Sequence, residues 1–417
     1  MAVLVTDGDQ RATLAVVRSL GRAGIRVVVG HSAAQSLAGS SRYCARRVCY
    51  PSPWERPHEF QQFLQHEMHS GDYRVLLPMT DVTTLLTAPL RAQLPASVCL
   101  PMGEEASLRR AQDKAEVVQI AERLGIAVPA SFDRPPEESL EAFAARLPYP
   151  VVIKPRFSRM LRNDGWISGS VRYAQTAEEL QRSYAEVAAQ GVAPLVQEKI
   201  EGEGRGVFLL VWSQQLQAAF CHRRLLEKPP WGGASVLRES LPLDESLVEQ
   251  SFALLRAIGW NGPAMVEYKQ DRRDGKLKLM EINARFWGSL QLAIDAGLDF
   301  PLLLYRLALG ERVAAQFHYR PWVRSRWRLG ELDYLLAVFR HQEQVRRLAP
   351  AEASRWRALG HFLKPGTPNT RSEVLRWDDP APGWFELKLY LRDLLRRPAR
   401  ALPAAKPKVL ATGGSSR

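Results

Sequence analysis

The chain has 417 residues, of which 46% are hydrophobic and 24% charged, a composition typical of a soluble globular protein with two or three domains. No stretch offers the run of about 18 apolar residues that a membrane-spanning helix needs, and the start, MAVLVTDGDQ, lacks signal-peptide features. The four cysteines show no metal-site or disulfide spacing, so we expect a cytoplasmic protein. Most of the net charge of +13 follows residue 310, where 21 Lys and Arg accompany 10 Asp and Glu.

The first segment has the pattern of a parallel sheet. A strand at Val3–Thr6, a helix at Ala12–Gly21 and a strand at Ile25–Gly30 predict a Rossmann-like βαβ unit. Another strand, Val75–Met79, is followed by Thr80–Asp81, at the carboxyl end where open α/β sheets place ligands. The glycine fingerprint of dinucleotide sites is absent, so we predict a scaffold that contributes part of a substrate pocket.

The middle of the chain alternates helices with strands and hairpins. We predict one helix over 108–124 and others over 136–146, 178–189 and 245–258; strands at 151–154 and 195–199; a loop at 155–170; and hairpins at 208–221 and 264–283. The second hairpin turns through Arg273-Asp274-Gly275, and Asp-Gly between alternating apolar runs is a strong hairpin signal.

The second hairpin contains the most informative residues. Its returning strand reads LKLMEINARFWG, and side chains alternate along a strand, so Glu281, Asn283 and Arg285 share one side. Glu267 lies on the first strand, in AMVEYK. Two acids and an amide on one face are costly unless a positive group lies between them, and Mg²⁺ takes such oxygen ligands. The alternative is a solvated outer face with a surface ion pair.

Cations and a candidate hinge precede this hairpin. Lys154 ends the apolar strand VVIKP beside a loop of small residues, which suits phosphate contact. The strand LVQEKIEGEGR can form a hinge whose backbone pairs with an adenine edge, with Glu198 and Glu203 near ribose hydroxyls. Taken alone, Lys114 in AQDKAEV reads as a surface lysine, and the two glutamates read as ordinary charged turn residues.

In chain order Lys114, VVIKP, VQEKIEG, VEY and MEINAR resemble the ATP-grasp superfamily, over roughly 108–310. The stretch MEINARFWGSLQLAIDAGLDFP is most similar to ATP-grasp proteins described as carbamoyl-phosphate-synthase-like or as carboxylate–amine ligases. The covering loop RFSRMLRNDGWISGSV departs from the pattern, because it is longer, more basic and poorer in glycine. It either covers phosphates or holds an anionic acceptor.

The resemblance implies roles for individual residues. ATP and Mg²⁺ would be the cofactors, with Mn²⁺ as a substitute for Mg²⁺. The implied contacts are these: Lys114 and Lys154 with nucleotide phosphates; Gln197, Glu198, Lys199 and Ile200 with adenine; Glu203 with ribose; Glu267, Glu281 and Asn283 with the metal; and Arg285 with the γ-phosphate or an acyl phosphate.

Substrate recognition is predicted in the stretch CHRRLLEKPPWGGASVLRES. Glycines let a backbone approach a ligand closely, and arginine forks match carboxylates. Arg238 is the predicted carboxylate anchor and Arg224 a second substrate contact. The alternative is a flexible basic loop.

Five tryptophans alternate with arginines beyond residue 310: Trp322, Trp327, Trp356, Trp377 and Trp384. We expect this region to pack back on the core with its tryptophans buried, since exposed rings would make a sticky surface. The amphipathic helix Trp384–Arg397 could instead contact a membrane surface, a role ranked below packing, and nucleic-acid binding ranks lower still.

The predicted fold is α/β and α+β: a Rossmann-like domain over 1–107, a two-lobed ATP-grasp module over 108–310, a basic extension over 311–400 and a disordered tail over 401–417. The predicted function is an ATP-dependent ligase that activates a carboxylate as an acyl phosphate, on Mg-ATP between the lobes, and transfers it to an amine. The alternatives are carbamoyl-phosphate or bicarbonate-type carboxylation and a non-enzymatic nucleotide-binding regulator. Small-molecule acids and amines are the expected partners, and their identity and the oligomeric state stay open.

Overall fold

The computed structural model describes residues 1–162 and 165–396, which form two compact units. The first unit contains residues 1–129 and 200–389, and the second contains the described residues of 130–199 and 390–396. The predicted tail, 401–417, lies outside the described residues, as does Arg397 at the end of the predicted amphipathic helix. None of the helices described is both long and apolar enough to cross a membrane.

The chain starts with a four-stranded parallel sheet in the order β3-β2-β1-β4. Strand β1 is buried along its whole length, as expected where helices cover both faces of a parallel sheet. The Rossmann-like prediction is therefore confirmed. The elements are β1 (Ala2–Val5), α1 (Arg11–Arg22), β2 (Arg26–His31), β3 (Cys44–Cys49), α2 (Pro57–Ser70), β4 (Tyr73–Leu77) and α3 (Asp81–Thr87).

The single helix predicted over 108–124 is wrong, because two helices cover this stretch, α4 (Glu105–Gln112) and α5 (Lys114–Arg123). Asp113 separates them, and its carboxylate accepts the backbone N–H groups of Ala115 and Glu116 at 3.1 and 3.3 Å. An aspartate that caps a helix start in this way begins a new helix in the chain. Lys114 consequently occupies the first position of α5.

The second unit is built on an antiparallel sheet in the order β5-β10-β6-β9, packed around Phe143, Ile153 and Leu180. Its elements are β5 (Ser131–Phe132), α6 (Leu140–Ala145), β6 (Val151–Pro155), β7 (Arg159–Arg162), β8 (Gly165–Ser168), β9 (Arg172–Ala174), α7 (Ala177–Ala188) and β10 (Pro194–Glu198). The stretch predicted as a loop over 155–170 contains the two-stranded ribbon β7–β8.

The first unit continues with a seven-stranded sheet in the order β15-β14-β11-β12-β13-β16-β17, whose last two strands are β16 (Arg324–Arg326) and β17 (Thr370–Ser372). One hydrophobic core joins it to the parallel sheet through residues such as Val5, Leu14, Phe208, Trp287 and Phe300. The elements up to residue 310 are β11 (Gly202–Trp212), β12 (Gln215–Lys228), β13 (Ala234–Ser240), α8 (Glu245–Ile258), β14 (Gly262–Asp271), β15 (Leu277–Asn283), α9 (Leu290–Ala296) and α10 (Phe300–Ala308).

The basic, glycine-containing stretch from Cys221 to Ser240 is mostly strand, so its interpretation as a flexible loop is wrong. Strand β12 runs to Lys228 and pairs with β13, and only residues 229–233 form the turn. Gly232 has φ 128°, a conformation that a side chain disfavours. The glycines and prolines therefore mark one tight turn between two long strands.

The C-terminal residues complete the seven-stranded sheet. Strand β16 pairs with β13, and β17 pairs in parallel with β16, so the expectation that this region packs back on the core is confirmed. The expected burial of the tryptophans is wrong for four of the five, because Trp322, Trp356, Trp377 and Trp384 are exposed. The elements are β16 (Arg324–Arg326), α11 (Arg328–Arg340), α12 (Gln342–Leu348), α13 (Arg355–Leu363), β17 (Thr370–Ser372) and α14 (Ala381–Arg396).

Candidate functional site

Strands β14 and β15 bring the predicted polar residues together. Their antiparallel register places Glu267 directly opposite Glu281. The amide of Asn283 donates to Glu267 Oε1 at 2.8 Å, and Arg285 Nη2 donates to Asn283 Oδ1 at 3.3 Å. The four side chains that the sequence placed on this hairpin therefore lie at one end of it.

Each of the two opposed carboxylates has a cation beside it, which offsets the repulsion of like charges across a strand pair. Arg224 on β12 forms an ion pair of 2.5 Å with Glu267 and one of 3.1 Å with Glu227, and Lys114 Nζ lies 4.0 Å from Glu281. Burial raises the pKa of Glu267; the Arg224 charge opposes this rise and the Glu281 charge adds to it. We call Arg224, Glu267, Glu281, Asn283 and Arg285 the hairpin cluster.

Arg285 is held by a partner that the sequence did not assign. Its Nε and Nη2 donate to the two carboxylate oxygens of Asp81 at 2.7 and 3.2 Å. Burial would lower the pKa of Arg285, but the charge and hydrogen bonds of Asp81, together with the charges of Glu281 and Glu267, raise it overall. Asp81 opens α3 just beyond strand β4. That position at a strand's carboxyl end was the available signal for its participation.

The hairpin cluster contains oxygen atoms of the kind that could bind a magnesium ion together with phosphate. Within 1–162 and 165–396, no group of three or more His, Cys, Asp or Glu side chains is arranged to hold a metal. The cluster instead offers two carboxylates and one amide, and Mg²⁺ is usually bound by one or two carboxylates plus phosphate oxygens and water. The side chain of Glu281 is 38% exposed, so its oxygens are accessible to a ligand.

In the second unit, two predicted nucleotide-binding residues lie side by side on the paired strands β6 and β10. Lys154 Nζ donates to Gln197 Oε1 at 3.1 Å, and Gln197 Nε2 donates to Ser131 Oγ at 3.1 Å. The Lys154 ammonium is thus linked to the segment predicted to form the adenine hinge.

The backbone of the predicted hinge already makes hydrogen bonds. The N–H groups of Glu198 and Lys199 donate to the carbonyl oxygens of Ala130 and Pro150 at 2.9 and 3.2 Å. Ile200, which belongs to the first unit, is buried. The adenine contacts therefore stay a prediction.

The predicted ribose contact, Glu203, lies between two arginines of the first unit. Its carboxylate oxygens are 2.9 Å from Arg205 Nε and 3.4 Å from Arg223 Nη1. Both arginines would have to share this carboxylate with a ribose, and the assignment stays a prediction.

Arg238, the predicted carboxylate anchor, faces Arg224 across strands β12 and β13, but its surroundings differ. Its side chain is 1% exposed and forms an ion pair with Glu373, which also pairs with Arg11. A substrate carboxylate would have to compete with Glu373, so the role of Arg238 stays a prediction. A neighbouring ion pair joins Arg18 to Asp379 at 2.8 Å. We call Arg11, Arg18, Arg238, Glu373 and Asp379 the anchor cluster.

Residues 192–329, about a third of the chain, match the model of the family described as "ATP-grasp in the biosynthetic pathway with Ter operon". A search of curated proteins found none that matches the chain.

Several solved structures are similar over most of the chain. A biotin carboxylase from Campylobacter jejuni is 14% identical, with a TM-score of 0.60, over 75% of this chain and 72% of that one. An L-amino acid ligase from Bacillus licheniformis is 17% identical, with a TM-score of 0.59, over 78% of each chain. The biotin carboxylase domain of Hydrogenobacter thermophilus 2-oxoglutarate carboxylase, in complex with MgADP and bicarbonate, is 14% identical, with a TM-score of 0.60, over 77% and 72%.

The predicted resemblance to the ATP-grasp superfamily is thereby confirmed, and the chain has an ATP-grasp fold. The matched family segment includes β12, β14 and β15 and thus all five residues of the hairpin cluster.

Proposed function

We propose that this protein is an ATP-dependent carboxylate–amine ligase. The observation that carries the proposal is the hairpin cluster, in which two opposed carboxylates, an amide and two arginines meet at the end of one hairpin of an ATP-grasp fold. Similarity to an L-amino acid ligase and to a carboxylase domain solved with MgADP and bicarbonate supports the same reaction class.

The hairpin cluster would hold the metal. Glu267, Glu281 and Asn283 would bind Mg²⁺, with Mn²⁺ as a substitute, and the bound ion would offset the negative charge of the phosphates. Arg285 would contact the γ-phosphate or the acyl phosphate, and Asp81 would keep its guanidinium in place through two hydrogen bonds.

The remaining assignments rest on the ATP-grasp resemblance. Lys114 and Lys154 would contact nucleotide phosphates, and Glu203 would contact the ribose. The segment from Gln197 to Ile200 would receive the adenine. Arg224 and Arg238 would contribute to substrate recognition through the charge network that includes Glu267 and Glu373.

The reaction has two transfers. A carboxylate oxygen of the substrate attacks the γ-phosphorus, the bond between this phosphorus and the β–γ bridging oxygen breaks, and ADP leaves. An amine nitrogen then attacks the carbonyl carbon, inorganic phosphate leaves and the nitrogen loses a proton. The side chains contribute positioning and charge neutralisation, which dominate catalysis of phosphoryl transfer.

One related reaction uses bicarbonate as the acid, and the similarity to biotin carboxylases favours it as the second candidate. Both reactions begin with an acyl or carboxy phosphate, so only the identity of the product separates them. A regulator that binds nucleotide without turnover needs no opposed carboxylates, so Glu267 and Glu281 argue against that alternative.

The decisive experiment measures ATP-dependent phosphate release over a matrix of carboxylates, bicarbonate and amines, with mass spectrometry of the products. We expect release that requires both an acid and an amine, and transfer of ¹⁸O from labelled carboxylate to phosphate. Reactions that lack one component are the controls. ATP binding without turnover across a broad matrix would instead support the regulator.

A further inference from the structure

A pocket of about 390 Å³ opens beside the start of α1, within the first unit. This volume is in the range of about 300–1,000 Å³ typical of small-molecule sites. No member of the hairpin cluster lines it. Its walls include two acids, Asp9 and Glu386, two cations, Arg11 and Lys228, the Trp327 ring, and apolar side chains.

The two cations of this pocket already have acidic partners. Arg11 forms an ion pair with Glu373 and lies 3.8 Å from the centre of the Trp327 ring. Lys228 forms an ion pair with Asp333, and its ammonium lies 4.8 Å from the same ring. Each cation is therefore balanced by one acid, and both lie close to the Trp327 ring.

In contrast to Arg11 and Lys228, Glu386 forms no ion pair with any residue that the structure describes. Among the residues described, the hydrogen-bond partner of its carboxylate is the Trp327 indole, whose Nε1–H donates to Oε1 at 2.7 Å. Burial raises the pKa of Glu386 to about 7; the Trp327 hydrogen bond and the charges of Arg11 and Lys228 oppose the rise, and Glu373 adds to it. A partly buried carboxylate whose hydrogen bond comes from a neutral donor gains from a cationic ligand. Asp9, which pairs with His31 at 3.0 Å, adds a second acid to the wall.

The rest of the wall is apolar. Leu37 is buried in the core, and Phe385 and Leu389 come from successive turns of α14. We propose that this pocket binds a small primary amine with an apolar substituent, the ammonium on Glu386 and the substituent against Phe385 and Leu389. If the proposed ligase function holds, on which this second assignment rests, the bound amine is the acceptor.

Two sets of ion pairs lie between this pocket and the hairpin cluster, and they meet at the cross-strand neighbours Arg238 and Arg224. Glu373 pairs with both Arg11 of the pocket and Arg238 of β13. Arg238 is the cross-strand neighbour of Arg224, which pairs with Glu267. The pocket and the hairpin cluster therefore share strand β12, which contributes Lys228 to the first and Arg224 to the second.

Binding is tested on the full chain without nucleotide, by calorimetric titration with isopentylamine, isopentanol and isocaproate. At about pH 8 the Glu386 carboxylate is ionised and an alkylamine is protonated. We expect the amine to bind about tenfold or more tightly than the alcohol of similar shape, because a charge-assisted hydrogen bond is added. Glu386→Gln should remove this preference.

Glu352→Gln is the matched control. Glu352 also accepts a hydrogen bond from a neutral aromatic donor, the Tyr334 hydroxyl at 2.7 Å, but it does not line the pocket. The control should retain the preference for the amine. Equal binding of amine and alcohol, tighter binding of isocaproate, or an unchanged preference in Glu386→Gln would each overturn the proposal.

A second variant keeps the test decisive if Glu386→Gln does not fold. The wild type should bind isopentylamine more tightly than methylamine, and Phe385→Ala should reduce that difference. An undiminished difference in Phe385→Ala would contradict the placement of the apolar substituent.

The acceptor role is tested separately by kinetics. Glu386→Gln should raise the KM for the amine about tenfold or more while the KM for ATP stays unchanged. An unchanged amine KM would refute the acceptor role even in an active ligase. Amine binding without any turnover would refute the ligase and leave the binding site established, so the two failures are distinguishable.

Discussion

The hairpin cluster and the anchor cluster both pair arginines with carboxylates, but they differ in how far their side chains are exposed to solvent. In the anchor cluster, Arg18 is fully buried and donates to the carboxylate of Asp379 and to the backbone carbonyls of Glu373 and Val374. In the hairpin cluster, Glu281 is 38% exposed, and Lys114 Nζ lies 4.0 Å away.

We interpret this difference as a structural role for the Arg18–Asp379 pair, in contrast to the proposed binding role of the hairpin cluster. A buried guanidinium whose donors are matched by protein oxygens joins distant parts of the chain, here α1 and the segment after β17. A half-exposed carboxylate opposite a buried one keeps oxygen atoms available for an ion. A contact between an arginine and a carboxylate is therefore evidence of a binding site only where a carboxylate oxygen remains accessible to a ligand.

The largest effect is expected in the closed cluster. Asp379→Asn removes the charge that Arg18 faces inside the protein, and we expect a loss of about 3–5 kcal/mol in the free energy of unfolding, measured with urea. Asp378→Asn is the matched control, because its pair with Arg22 is at the surface and should contribute about 1 kcal/mol or less. Equal losses in the two variants would contradict the structural role of Asp379.

The next effect concerns the open cluster. Glu281→Gln should reduce phosphate release by about 10- to 100-fold or more, judged from the smaller losses caused by changes around metal ligands. Its Tm should stay close to that of the wild type. The control is Asp274→Asn, because Asp274 is an exposed acid in the turn of the same hairpin. This variant should release phosphate at the wild-type rate. A Glu281→Gln variant with wild-type turnover would refute the metal assignment.

A smaller effect is expected in the second unit. Lys154→Met keeps the length of the side chain and removes its charge, so ATP affinity should fall about tenfold, equivalent to about 1.4 kcal/mol. Calorimetric titration measures this change, and Arg182→Met on the exposed face of α7 is the control. Unchanged affinity in Lys154→Met would exclude a phosphate contact.

The smallest effect is expected at the exposed tryptophans. Trp384→Ser should change the free energy of unfolding by about 0.5 kcal/mol or less, since the side chain lies at the surface. Trp327→Phe should cost about 1 kcal/mol or more, because the Glu386 carboxylate loses its indole donor. Thermal and urea unfolding of both variants check the contrast. A larger loss of unfolding free energy for Trp384→Ser than for Trp327→Phe would contradict the assignment of the stabilising contact to Trp327.

Local pattern was enough to predict much of the fold. Alternating side chains placed Glu281, Asn283 and Arg285 on one side of a strand, and Asp-Gly located the turn that brings Glu267 opposite. The limits appeared where one residue changed the outcome. Asp113 caps a second helix where one helix was predicted. The glycines and prolines of the turn at Gly232 favoured a loop, although long strands lie on both sides of it.

The sequence by itself determined the order of the motifs, the Rossmann-like start and the hairpin that gathers the acidic residues, because alternation, turn residues and helix caps act over a few positions. Only the tertiary structure decided that Asp81 accepts hydrogen bonds from Arg285 and that Arg238 forms an ion pair with Glu373. It also decided that Trp327 and Glu386 line one pocket with the start of α1. These pairs join segments far apart in the chain, so no local sequence pattern predicts them. The charges of Arg285 and Arg238 are matched by Asp81 and Glu373 because packing brings the segments together, and burial makes an unmatched charge costly.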